Sequence, residues 1–169
     1  MKKLLLALIS VLILSGCASS SQVNSEFSPT DIAFAEMMIP HHEQAIEMSE
    51  LALMNSTNPE VLELAQEIKS SQAPEIELMA SWSGVKSSTH AGHTMDGMLS
   101  EDELNALRAA TGAEFDRLFL QGMIKHHQGA IEMAMDVKNS NSMVVADLSA
   151  AIIKQQEIEI TRMEELLLK

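Results

Sequence analysis

The chain has 169 residues, with 24 acidic against 11 basic side chains, a formal net charge of −13, no Tyr, one Trp and one Cys. Its acidic balance leaves no basic footprint for a nucleic acid, and its lone thiol excludes an internal disulfide or a multi-cysteine metal site. Few Gly and Pro beside many Ala, Leu, Met and Glu favour helices throughout.

The first residues have the three parts of an export signal: Lys2 and Lys3, an almost wholly apolar run over residues 4–14, and Ser15-Gly16-Cys17. The run is shorter than the roughly 20 residues that span a bilayer, so cleavage is expected rather than a retained membrane helix. Leu14-Ser15-Gly16-Cys17 resembles the lipobox of bacterial lipoproteins, which implies a signal peptide over residues 1–16 and a diacylglyceryl group on Cys17. Ala18 behind that cysteine is compatible with sorting to an outer membrane, facing the periplasm, in a bacterium with two membranes. Residues 17–28 read as a lipidated, serine-rich tether, and residues 29–169 as one domain with one core. Cleavage leaves 153 of the 169 residues and, with Lys2 and Lys3 gone, takes the charge from −13 to −15. That surplus reads as the solvated surface of an exported protein before it reads as a docking surface.

Ser28 and Pro29 form an N-cap and first helical residue, and apolar positions then recur at helical spacing to about Met54. Pro40 should interrupt this helix with a kink just ahead of the His pair, because it removes a backbone donor and frees the Glu36 carbonyl. Asn58-Pro59-Glu60 starts a second helix, along which Val61, Leu62, Ala65, Ile68, Gln72, Glu75, Ile76 and Met79 form one face toward Trp82. Residues 83–112 read as a connector: Gly, Ser, Thr and His break the pattern up to Leu99, and Ser100-x-x-Glu103 is a capping box for a short helix. A long helix follows to Val137, then the turn Asn139-Ser140-Asn141-Ser142, then a last helix to about Leu168.

The halves repeat. M-I-x-H-H-x-x-A-I-E-M occurs at residues 38–48 and again, 85 residues on, at 123–133. Asp31 and Phe34 match Asp116 and Phe119 at the same offset, while Gln72, Glu75, Ile76 and Met79 match Gln156, Glu159, Ile160 and Met163 at 84. Each repeat, over about residues 30–82 and 113–168, is a helical hairpin that cannot bury its apolar face alone. Two hairpins packed about a pseudo-twofold axis make an all-α four-helix bundle.

At 100° per residue, Met38, His41, His42, Ala45 and Met48 fall within about 120° of arc, with Glu47 on the far side. Gln72, Glu75 and Met79 share a face on the partner helix. Each hairpin should therefore gather two His, two or three Met, a Gln and a Glu. Two readings stay open. Met38, His41, His42 and Met48, with Met123, His126, His127 and Met133 in the second copy, are either ligands of a soft or borderline metal or a structural network. In the network, Glu75 and Glu159 hold the imidazoles in register. Both can hold at once if Gln72, Glu75, Gln156 and Glu159 orient ligating histidines from behind.

The connector adds His90-x-x-His93-x-Met95-x-x-Met98, four soft or borderline donors within nine residues. Thioethers select copper(I), or silver(I) by the same softness, over zinc or magnesium. A di-iron bundle would need two E-x-x-H motifs, and none precedes either His pair. No P-loop, G-x-S-x-G, H-E-x-x-H or nucleophilic cysteine occurs.

With both motifs doubled and Phe115-Asp116-Arg117-Leu118-Phe119-Leu120 ahead of the second His pair, residues 30–166 resemble the bacterial family called domain of unknown function 305. The resemblance implies a ferritin-like fold. It also implies Met and His ligands for copper at Met38, His41, His42, Met48, Met123, His126, His127 and Met133. Lys125 stands where the first copy has Pro40, so the two copies need not be equivalent. The expectation is a lipid-anchored, extracytoplasmic copper(I)-binding protein without catalytic activity that buffers, sequesters or transfers copper, with the membrane, metal ions and a copper-transfer protein as partners. The alternatives are a ferritin-like metal-dependent oxidase and a structural or stress-related envelope bundle with an architectural His-Glu core.

Overall fold

In a computed structural model, which describes residues 26–86 and 95–169, the chain forms five helices and, among the described residues, no strand. They are α1 (Pro29–Asn55), α2 (Pro59–Ala80), α3 (Glu101–Ala109), α4 (Gly112–Val137) and α5 (Met143–Leu167). α1 pairs with α2 and α4 with α5, and the two hairpins join mainly along α1 and α4. This is the four-helix bundle expected from the duplication, with α3 as the extra helix.

The helix starts follow local chemistry. Ser28 Oγ accepts from the Asp31 amide at 3.2 Å while the Asp31 carboxylate accepts from the Ser28 amide at 2.7 Å, a reciprocal cap that satisfies two orphan donors. Asn58 caps α2 and Pro59 opens it, and Ser100 with Glu103 repeats the reciprocal cap on α3. The interruption expected at Pro40 does not divide α1, which runs unbroken through it. Met38, Ile39, His41 and His42 around the proline are at most 1% exposed, and such packing outweighs a local propensity. On α2 the core residue is Leu64 rather than the expected Leu62, which is only half-buried.

The interior is split. One apolar cluster holds Ala45, Met48, Leu64, Phe115, Phe119 and Met123, and the other holds Phe34, Ala35, Met38, Met79, Ala130 and Ala134. Early α1 residues thus meet late α4 residues and the reverse, so these helices run antiparallel. Each buried Phe side chain contributes about 1.5–3 kcal/mol. Both His pairs lie between the clusters. Among the described residues no helix is long and apolar enough to cross a membrane.

Candidate metal centre

The two copies of the His pair form a single layer where α1 crosses α4. His41 and His126, counterparts in the repeat, stack with ring centroids 3.8 Å apart and planes tilted by 40°. Both are fully buried, and among the described residues none of their four ring nitrogens has a hydrogen-bond partner in good geometry. His42 and His127 behave differently. Their Nε2 atoms lie 2.8 Å from Glu75 Oε2 and 2.6 Å from Glu159 Oε2. A carboxylate only accepts, so the proton belongs on Nε2 and the lone pair on Nδ1. Both Nδ1 atoms are buried without a hydrogen-bond partner among the described residues.

Burial favours the neutral form of His41, His126 and His127. Burial pushes the His41 imidazole down to about 3, with His42 and His127 adding repulsion and the Asp96 backbone opposing. Burial also takes His126 well below its ordinary range, reinforced by His41, His127 and His42. His127 is lowered by burial in spite of the opposing pull of Glu159. Neutral imidazole is the form that binds metals.

Nine of the eleven buried side-chain nitrogen and oxygen atoms without a hydrogen-bond partner among the described residues belong to His41, His42, His126, His127, Gln72 and Gln156. A buried polar atom left unpartnered costs about 1–3 kcal/mol, so their concentration in one layer sets it apart from the rest of the core. Among the described residues, no three His, Cys, Asp or Glu side chains converge as a ready-made metal cage. The donors on hand are imidazoles and thioethers, which suit soft ions.

The expected residues are brought together unevenly. The four histidines share the layer, with Glu75 and Glu159 behind one histidine of each pair. Gln72 and Gln156 line a small enclosed space with Ser71, Glu75, Ile152, Gln155 and Glu159, and Gln155 donates to the other Glu159 oxygen at 2.9 Å. Met48 and Met123 pack in one apolar cluster, Met38 in the other with Met133 half-buried against it. Each hairpin therefore contributes to one shared centre rather than forming its own. Met95 and Met98 are half-buried. His90, His93 and Cys17 lie outside the described residues.

The motif's variable positions carry contacts that the sequence reading passed over. Gln44 Oε1 accepts from the Leu99 amide at 2.7 Å, and its Nε2 donates to the Leu99 carbonyl at 3.0 Å. A Cβ on Gly129 would lie 2.1 Å from the Asp96 carbonyl oxygen. The signal was the mismatch itself: Gln44 and Gly129 occupy the same place in the two copies.

The family model described as Domain of unknown function (DUF305) matches residues 31–167. A DUF305 fragment from Deinococcus radiodurans is similar at 29% identity and a TM-score of 0.74, over 83% of this chain and 96% of its own. A DUF305 protein from Streptomyces coelicolor is similar at 30% identity and 0.76, over 82% of this chain and 92% of its own. CopM in a Cu(II)-bound form is similar at 37% identity and 0.71, over 82% of this chain and 95% of its own. CopM has also been solved in Cu(I)-bound and Ag-bound forms. No curated protein matches the chain.

Proposed function

The chain belongs to the DUF305 family, and from that membership we propose that it is a copper(I)-binding protein, lipid-anchored through Cys17 outside the cytoplasmic membrane, that buffers, sequesters or hands on the ion. The observation that carries this reading is the His41–His126 stack, a buried neutral pair whose four nitrogens have no hydrogen-bond partner in good geometry among the described residues. The thioethers of Met95 and Met98 follow in the adjoining connector, and thioether with imidazole favours copper(I), with silver(I) as its soft analogue. The likeness to CopM, solved with both metals, supports the same choice. His42 and His127 are oriented ligands in reserve: Glu75 and Glu159 fix their tautomers and leave Nδ1 as the donor atom. The same two hydrogen bonds favour an architectural share in their role, which the bundle would keep without metal.

Anaerobic copper(I) competition against a chromophoric chelator tests the proposal on the mature chain carrying Cys17→Ser. Replacing His41 and His126 by Ala, or His90, His93, Met95 and Met98 by Ala, should each weaken binding at least tenfold. Unchanged binding in both variants overturns the site, and wild-type binding no tighter than that of a surface histidine overturns the copper reading. Palmitate labelling in cells, lost in Cys17→Ser, tests the anchor.

A further inference from the structure

Within the eleven-residue motif the two copies differ at only three places: Pro40 against Lys125, Glu43 against Gln128, and Gln44 against Gly129. Glu43 and Gln128 are both exposed. The other two differences converge on one short segment of the connector. Gln44 grips both backbone groups of Leu99. Lys125 Nζ donates to the Met98 carbonyl at 3.3 Å. Gly129 leaves room for the Asp96 carbonyl, and Gly97, at φ +85°, comes so close that a Cβ there would lie 2.8 Å from the Lys125 carbonyl oxygen and 2.9 Å from Gly129 Cα. A positive φ and that clearance both require glycine.

The placement of these contacts gives them a purpose. Gln44 lies three residues after His41 and Gly129 three after His126, one helical turn along the same face. Because α1 and α4 are antiparallel, the two clamps sit on opposite sides of the stacked rings. A segment held at Asp96 by one and at Leu99 by the other must cross the stack between them. Within it the Met98 amide donates to the Met95 carbonyl at 3.1 Å, a turn that brings the two methionines close in space. Packing alone would ask for the same residue in both copies. A single connector can dock only by breaking the symmetry.

We propose that Gln44, Lys125 and Gly129 are positioning residues that lay residues 95–99 across the His41–His126 stack, making the helical imidazoles and the Met95 and Met98 thioethers one composite site for a soft monovalent cation. The inference rests on the copper(I) reading and deepens it: metal affinity depends on residues that supply no ligand, and the connector and helices fill in one event.

Silver(I) titration of the mature chain labelled with ¹³C-methyl methionine, followed by NMR together with the imidazole signals, tests this. In the wild type the Met95 and Met98 methyl signals and those of His41 and His126 should move with a common midpoint. Gly129→Ala and Gln44→Met should each weaken silver(I) binding at least tenfold and separate the methionine midpoint from the histidine one. Helix content by circular dichroism should stay unchanged, since Ala and Met are better helix formers than the residues they replace or close to them. Two separate midpoints in the wild type, or both variants titrating as the wild type does, overturn the composite site while leaving metal binding intact. A wild type that binds no silver(I) and shows no methionine shift overturns the copper(I) reading and this inference together.

Discussion

Ser56, in the turn of the first hairpin, donates a 2.5 Å hydrogen bond to Asp116 Oδ1 near the start of α4 in the second. The counterpart pair is Asp31 with Ser140, in the turn between α4 and α5. Burial alone would raise the Asp31 carboxyl. The Ser28 amide and the hydroxyls of Ser140 and Ser28 outweigh it and hold the group below its ordinary range. Each hairpin thus clasps the other's turn, which explains why Asp31 and Asp116 belong to the repeat although neither faces the histidine layer.

Asp116→Ala and Ser56→Ala should each destabilise the bundle by about 1–2 kcal/mol, the range for a hydrogen bond to a charged group at a half-buried site. Because the two side chains act as a unit, the double variant should lose little more than either single one. Urea denaturation of the four proteins measures this, and strictly additive losses would show that the contact contributes nothing.

The His41–His126 stack should carry an opposite sign. Since these four buried nitrogens have no hydrogen-bond partner in good geometry among the described residues, His126→Leu should leave the stability of the metal-free chain unchanged or raise it by about 1 kcal/mol. In the wild type, silver(I) at a hundredfold its Kd should add about 2.7 kcal/mol, and the variant should lose most of that gain. Thermal melts with and without silver(I) decide it. A variant that is strongly destabilised without metal would make the stack architectural.

Burial separates the two His-Glu pairs. The Glu159 side chain is 3% exposed and that of Glu75 19%. Glu159→Ala leaves the His127 Nε2 donor buried with nothing to replace the carboxylate, a loss of about 2–3 kcal/mol. At Glu75 water can reach the gap, so Glu75→Ala should cost roughly half as much. Denaturant midpoints of the two variants compare them directly, and equal or reversed losses would contradict the burial argument.

Much of the fold was legible because its rules are local. Ser28, Asn58 and Ser100 announced three helix starts, and the doubled Q-x-x-E-I-x-x-M announced two equivalent partner helices. Glu75 and Glu159 were correctly anticipated as partners of histidine, since a carboxylate on the facing helix within reach of a buried imidazole has few other uses. Pro40 does not end α1, since the packing on either side of it keeps the helix continuous.

The sequence by itself determined a duplicated all-α bundle and a set of imidazole and thioether donors, since periodicity and side-chain chemistry are properties of the chain. Only the tertiary structure decided which donors stay unpartnered. The antiparallel crossing of α1 and α4 stacks His41 on His126 and leaves His42 and His127 to the glutamates, so the two repeats share one histidine layer. It also turned Gln44, Lys125 and Gly129 from gaps in a repeat into contacts with the connector. Such a role depends on which segment arrives from elsewhere in the chain, and no local pattern records that.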